Sequence, residues 1–238
     1  SKIIKINNKD KYFLFEGDIN NSESPVSFEL LSIFFKNNFE DLGFSDLNFG
    51  SENNFSFKLD KKLKFSDVNI KSRIELKKLN YNKDYINLKR YLPNYNNSFE
   101  LNDHKIELTF NKSKLSIKGK GKFLIDKNAD EINYNINFKN GDYNFKSKIQ
   151  FKNNPLQIKI FDYKKDENKN SLLEIDGLFK KNKTIIFKNI SFKESKNKFL
   201  INDLSLNKNF KINHINRMDL DFLNENKKKN KISLKKNK

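Results

Sequence analysis

Few residues in this 238-residue chain have the type and spacing needed for bond-making chemistry. It has no cysteine, which excludes disulfides and thiolate-ligated metal or iron–sulfur sites. The two histidines, His104 and His214, are far apart and lack carboxylate partners at ligand spacing, so each reads as a surface residue or one satisfied locally. Lys118-Gly119-Lys120-Gly121 is not a phosphate loop: the spacing is wrong, no Lys-Ser/Thr follows, and it sits inside an alternating pattern rather than before a helix. Acidic residues are scattered over polar positions and turns, with no pair set in an apolar surround where a raised pKa would suit general acid–base work. No nucleophile, metal site or cofactor is indicated. The chain does not read as an enzyme.

The formal charge of +18 raises nucleic-acid binding, yet only Arg73, Arg90 and Arg217 among the 48 basic residues are arginines, the type suited to bidentate base and phosphate contacts. Lysines spread evenly along alternating segments read as a solvated face rather than a phosphate track. No apolar run reaches the roughly 18 residues of a membrane span, and no signal-peptide core opens the chain. The chain starts at Ser1 and ends among lysines within an alternating pattern, so it is expected to be a segment of a longer one.

What the sequence does carry is a pattern with a period of two. It is clearest in Ile132 to Phe151, where Ile132, Tyr134, Ile136 and Phe138 alternate on one arm and Tyr143, Phe145, Ile149 and Phe151 on the other. Between them Asn140-Gly141 predicts a two-residue type I′ turn, because both central positions need φ > 0. That turn pairs Phe138 with Tyr143 and Ile136 with Phe145, giving a hairpin with one greasy face and one wet face.

The same logic extends in both directions. Upstream, Val68, Ile70, Ile74 and Leu76 alternate with charged residues, and Ile106, Leu108 and Phe110 face Leu115 and Ile117 across a turn at Lys112-Ser113. Gly119, Gly121, Phe123 and Ile125 follow. A six-residue connection then predicts Ile125 opposite Ile132, Tyr134 opposite Phe123, Ile136 opposite Gly121 and Phe138 opposite Gly119, with large side chains covering the glycines. Downstream, a turn at Lys152 to Pro155 is expected to return Leu156, Ile158 and Ile160 to the same face as a fifth consecutive strand. Ile175, Ile185, Phe187 and Phe192 continue the pattern, which slips phase at Asn189-Ile190, Asn202-Asp203 and Asn213-His214 as β-bulges would.

Two interruptions stand out. Ser24 as N-cap, Pro25 at N1 and Leu30, Leu31, Phe34 and Phe35 at helical spacing predict a capping amphipathic helix over about 25–38. Tyr81 to Tyr95 predicts a short helical turn, stopped by Pro93, that leaves and rejoins the sheet. The expected organisation is strands plus the helix over 1–50, a continuous antiparallel meander over 51–223, and a polar tail with a truncated strand over 224–238. The fold class is mainly β, a long antiparallel meander curled into an open trough. A two-sheet sandwich would instead bring Greek-key crossings and longer connections. An outer-membrane barrel would put its aromatics at the strand ends, and the chain has no Trp.

The run LSIKGKGKFLIDKNADEINYNINFKNGDYNFKSKIQFKNNPLQIKIFDYKKDENKNSLLEIDGLF, with IIFKNISFKESKNKFLINDLSLNKNFKI after it, resembles the C-terminal β-repeat region of AsmA-like proteins of the YhdP type, in an AT-rich alphaproteobacterial form. The likeness lies in the G-K-G strand, the paired Y-x-I/F hairpin, the N-P-L-x-I strand start and the L-x-I-x-G strand before I-x-F. It implies a segment of an inner-membrane-anchored, periplasm-spanning envelope protein, similar to bridge-like lipid transfer proteins. In those a curled sheet carries phospholipid acyl chains between inner and outer membranes along an apolar groove. The membrane anchor of that family is not in this sequence, no cofactor is implied, and nucleic acid is not the expected partner. The alternating apolar residues from Val68 to Phe192 named above are the expected groove lining. The competing expectations are a structural β-sandwich with a closed core and a basic nucleic-acid-binding β domain.

Overall fold

A computed structural model describes residues 2–9, 11–26, 43–82, 88–181 and 183–236. The pattern of period two becomes one antiparallel sheet of fourteen strands, joined almost entirely in chain order and not closed into a barrel. It begins with β1 (Lys2–Lys9), β2 (Tyr12–Pro25), β3 (Phe44–Asp60), β4 (Phe65–Tyr81) and β5 (Phe99–Asn111). Next come β6 (Lys114–Ile125), β7 (Asn128–Lys139) and β8 (Asp142–Phe151). Two short strands, β9 (Leu156–Ile158) and β10 (Tyr163–Lys165), pair only with each other, and β8 pairs directly with β11 (Ser171–Phe179). The sheet then runs through β12 (Ile185–Glu194), β13 (Asn197–Leu206), β15 (Arg217–Leu223) and β16 (Lys229–Lys235), while β14 (Ile212–His214) pairs with the end of β13.

The central hairpin has the predicted register, Phe138 with Tyr143 and Ile136 with Phe145. Asn140 and Gly141 both have positive φ, 55° and 89°, as the type I′ turn requires. Lys112 and Ser113 make the same kind of turn between β5 and β6. Cross-strand aromatics reinforce the pairing: Phe138 and Tyr143 lie 4.7 Å apart and Phe15 and Phe57 4.8 Å, contacts worth about 0.5–1.5 kcal/mol beyond buried area.

Three expectations need correction. The link from β6 to β7 is a two-residue turn at Asp126-Lys127, so Ile125 pairs with Asn128, Gly121 with Ile132 and Gly119 with Tyr134. The residues Asn128 to Glu131, expected as loop, are strand, with Asp126 at φ 55° making the turn. Because the difference is an even number of residues, the greasy face is unchanged. Second, Leu156, Ile158 and Ile160 do not form a fifth strand of the sheet: β9 leaves it, and Ile160 is 85% exposed in a 3₁₀ turn at Lys159–Phe161. Third, Ser24 and Pro25 do not start a helix but end β2, paired with Phe49 and Asn48 of β3. Pro is tolerated there because the register has just shifted after Asn21, leaving the ladder irregular. The rest of the expected helix, 27–38, lies outside the described residues.

The phase slips are bulges, and they come in shared pairs. On β12 and β13 the register skips Lys188 and Asp203 together, between Phe187–Leu204 and Asn189–Asn202. On β4 and β5 the pairs Leu76–His104 and Lys78–Asn102 flank Lys77 and Asp103 in the same way, and β5 shifts against β6 at that point. Asp46, Asp67, Asp103 and Asp203 all take the left-handed conformation, φ 49–52°, which Asp tolerates better than most residues. Bulges bend a strand and increase its twist, so two bend lines flank the block β6–β8 and β11.

Candidate functional site

The candidate site is the greasy face itself. Cross-strand registers place Val68, Ile70, Ile74 and Leu76 of β4, Ile106, Leu108 and Phe110 of β5, and Leu115, Ile117, Phe123 and Ile125 of β6 on one side. The same side carries Ile132, Tyr134, Ile136 and Phe138 of β7, Tyr143, Phe145, Ile149 and Phe151 of β8, then Ile175, Ile185, Phe187 and Phe192 of β11 and β12. Every expected lining residue except Leu156, Ile158 and Ile160 is therefore part of a single continuous surface. Ile4 and Ile6 of β1 and Ile232 and Leu234 of β16 carry it to the two edges, where they are exposed.

The surface is not uniform from rim to rim. At one rim the strands are joined by tight turns at Lys112-Ser113, Asn140-Gly141 and 180–184, and the nearby Ile136, Phe138, Phe145 and Phe187 are only half-buried. The other rim carries two long excursions, 88–98 and 152–170, that fold back over the face. The first carries a 3₁₀ turn at Leu88–Arg90, as the Pro93 signal predicts, and packs Leu88, Leu92 and Tyr95 on Phe123, Ile125 and Phe151. The second lays Leu156, Ile158, Phe161 and Tyr163 on Phe192, Phe199, Leu220 and Phe222. They join where the Gln157 amide donates to the Tyr91 carbonyl at 2.8 Å, and where Glu167 Oε1 accepts from Asn94 at 2.9 Å.

A buried polar cluster fastens the second excursion. Asp130, on the greasy face at the rim, accepts from the amides of Lys152, Asn153 and Asn154 at 2.8, 2.8 and 3.0 Å and from Asn154 Nδ2 at 3.0 Å. Lys165, 0% exposed, donates from Nζ to the carbonyls of Asn154 at 2.6 Å and Lys152 at 3.0 Å. Burial pushes its pKa down, opposed chiefly by the charges of Asp130 and Glu194. The Tyr163 hydroxyl donates to Glu194 Oε2 at 3.1 Å; burial, then the Glu194 charge, pushes its phenol pKa up. These carboxylates correct the expectation that acidic residues keep to polar faces and turns. Through these bonds the cluster ties the second excursion to the sheet.

His104 is the other polar residue on the greasy face, 1% exposed beside Tyr134 and over Gly121. Burial pushes its pKa down, against the raising effects of the Lys122 carbonyl and Asp103. Its place inside rather than outside follows from the bulge at Asp103, which switches the inward positions of β5 from odd (Phe99, Leu101) to even (His104, Ile106, Leu108, Phe110).

Between the two excursions and the sheet lies a cavity of about 410 Å³ whose lining is wholly apolar. Its floor comes from β5, β6, β7, β8 and β11, including Leu101, Phe123, Ile132, Ile149 and Leu173. Its roof is Leu88, Tyr91, Leu92, Leu156 and Ile158. Two of the misplaced strand residues, Leu156 and Ile158, thus belong to the site as roof rather than floor.

Among the described residues no group of His, Asp and Glu could hold a metal ion, and no helix is long and apolar enough to cross a membrane. Comparison of the chain with protein-family models, curated proteins and solved structures finds no match in any of the three.

Proposed function

We propose that the chain is a segment of an AsmA-like envelope protein that spans the periplasm, anchored in the inner membrane through a part of the parent chain outside this sequence. Its apolar β-groove carries phospholipid acyl chains between inner and outer membranes, and it acts as a carrier without cofactor or catalysis. The observation that supports this reading is the continuous apolar face of one unclosed fourteen-stranded sheet, half-buried along the tight-turn rim. At about 4.8 Å per strand such a sheet is on the order of 60 Å long, far more apolar surface than a soluble monomer usually leaves uncovered. Alkyl chains suit it: each buried CH₂ contributes about 0.8 kcal/mol and makes no directional demand. Head groups would stay in water beyond the rim.

The covered rim favours a second reading, a structural β domain whose excursions close its core. Aspartate in place of Ile136 or Phe145 separates the two. In the carrier reading, photo-crosslinking of phospholipid to the groove drops while the far-ultraviolet circular dichroism survives. In the scaffold reading the fold collapses, because an unpaired charge enters a closed core. Absence of phospholipid from an organic extract of the purified chain, together with no uptake of an apolar dye, would sink the carrier reading. A nucleic-acid binder would instead be retained on DNA in a strongly salt-dependent way.

A further inference from the structure

We infer that two tips of the tight-turn rim dock on the surface of an anionic bilayer, with Leu63 and Phe210 entering it and the lysines beside them meeting its phosphates. The inference goes beyond the carrier reading and does not need it, since a closed scaffold domain would dock in the same way.

Four hairpin turns among the described residues share one build. In 60–64, 180–184, 207–211 and 224–228 the amide of the first residue donates to the carbonyl of the fifth, and the amide of the fourth donates back to the carbonyl of the first. In all of them the fourth residue takes the left-handed conformation: Leu63 at φ 58°, Lys183 at 62°, Phe210 at 57° and Lys227 at 58°. Asn and Gly suit that position, and a bulky residue there is an outlier. Two of the turns carry a lysine in it, a side chain at home in water. The other two carry Leu63 and Phe210, which are 74% and 54% exposed. Neither side chain is buried in return for the backbone it imposes. A residue costly both to place and to solvate points to a contact outside the chain.

The surroundings of the two residues match. Phe65 and Ile212, which open β4 and β14, are 67% and 64% exposed and pair with Leu59 and Leu206, so the greasy face runs out to each tip. Lys61, Lys62 and Lys64 surround Leu63 in sequence, Lys208 and Lys211 flank Phe210, and all five are exposed. Asp60, the one carboxylate within these two turns, is held by its own turn, accepting from the amides of Lys62 and Lys64 at 2.8 and 2.9 Å. Asn207 takes that place in the other turn, accepting from the amides of Asn209 and Lys211 at 2.9 and 3.1 Å. Both tips lie on one rim, because an even number of strand steps separates β3 from β13 in the sheet. The lysine-rich turn 180–184 is on that rim too, and 224–228, with Lys227, is on the opposite one.

The two chemistries together select the partner. A soluble polyanion would satisfy the lysines and leave Leu63 and Phe210 in water. An apolar protein groove would bury those two and strand the lysines. An anionic bilayer offers acidic head groups outside and hydrocarbon beneath them, within the reach of a single turn.

The test is flotation of the whole chain with vesicles of phosphatidylcholine alone or with about 30% phosphatidylglycerol. Binding at least tenfold tighter to the anionic vesicles is expected, and about 0.5 M salt should release it. In the double variant Leu63→Asn, Phe210→Asn the left-handed position holds a residue it accepts, so the urea midpoint should hold or rise while vesicle binding falls about tenfold. Unchanged binding, or a midpoint that falls with it, overturns insertion of these two residues. The triple variant Lys61→Glu, Lys64→Glu, Lys208→Glu should lose the preference for anionic vesicles, and a preference retained overturns the tips as the basic contact. The chain has no Trp, so Phe210→Trp and Lys227→Trp each give a single fluorophore at the same turn position on opposite rims. Brominated lipid should quench the first and spare the second. Quenching of both, or of neither, overturns docking through this rim. Equal affinity for the two kinds of vesicle overturns the anionic partner, and no binding to either overturns the whole proposal while leaving the carrier and scaffold readings as they stand.

Discussion

The hydroxyl of Tyr134 donates to Nδ1 of His104 at 3.2 Å, while the other ring nitrogen, Nε2, donates to the Lys122 carbonyl at 2.9 Å. The Lys122 carbonyl can only accept, so Nε2 carries the proton of the neutral ring and Nδ1 is left to accept from the Tyr134 hydroxyl. Burial keeps the folded pKa below the ordinary 6.5. Above pH 6.5 the ring is neutral in both states and its contribution is fully present. As pH falls below 6.5 the unfolded chain takes up a proton first, so stability declines until the folded pKa is passed. Urea melts at pH 8, 6 and 5 should show this decline, and it should be shallower in His104→Asn. Tyr134→Phe should cost about 1 kcal/mol at pH 8 and move the His104 titration in proton NMR.

The glycines beneath this pair should differ in tolerance. A Cβ on Gly119 would lie 2.3 Å from the Tyr134 ring, a side chain with some room to swing toward the open face. A Cβ on Gly121 would meet the His104 ring at 2.3 Å and the His104 Cα at 2.7 Å, and backbone in a sheet cannot withdraw. Gly121→Ala is therefore expected to cost about 2–3 kcal/mol and Gly119→Ala about 1–2 kcal/mol in chemical denaturation. Equal costs would mean that the strands relax as a unit.

Asp130 is predicted to be the main fastening of the roof. Its carboxylate takes three successive backbone amides, and its charge compensates the buried Lys165 ammonium. Asp130→Ala leaves those amides and that ammonium short of partners, a loss of about 3–5 kcal/mol. Hydrogen exchange should localise the damage, with amides of 152–170 losing protection before those of β6–β8. Uniform loss of protection would show that roof and sheet unfold as one unit.

How much of this was legible in the sequence depended on range. The hairpin at Asn140-Gly141 was readable because turn chemistry and alternation agree within twenty residues, and either alone would set the register. The β6–β7 link was misread because Ala129 and Asp130 lack the apolar signal of a strand. Asp130 occupies the inward position for a reason that lies in the amides 152–154, which no local pattern carries. Leu156-Gln157-Ile158 alternates like its neighbours, and alternation cannot say which surface a strand lies on; the five polar residues 166–170 after β10 were the available hint of a departure. Ser24-Pro25 reads as a helix start, but in this chain the ladder to β3 overrides the cap signal. Asn202-Asp203 shows in the sequence as a phase slip, and the same signal recurs at Ser45-Asp46-Leu47, Ser66-Asp67-Val68 and Asn102-Asp103-His104, each with Asp at a bulge, after a small polar residue and before an inward one.

That recurring Asp supplies the last prediction, because a bulge changes which residues point inward on either side of it. On β5 the inward set is Phe99 and Leu101 before Asp103, and His104, Ile106, Leu108 and Phe110 after it. Asp103 takes φ 52°, where glycine is at ease and a β-branched residue is strained. Asp103→Gly should thus stay within about 0.5 kcal/mol of the parent, whereas Asp103→Val should lose about 1–3 kcal/mol. Deleting Asp103 is a different perturbation. It forces either Phe99 and Leu101 or the run from His104 to Phe110 onto the wet face. The first outcome would empty part of the cavity floor, since Phe99 and Leu101 line it, and the second would expose the middle of the greasy face. Limited proteolysis tells them apart: early cleavage near 88–98 marks the first and cleavage within β5 the second. A deletion variant as stable as the parent would mean that β4, whose Lys77 shares the bulge, can reset the phase alone.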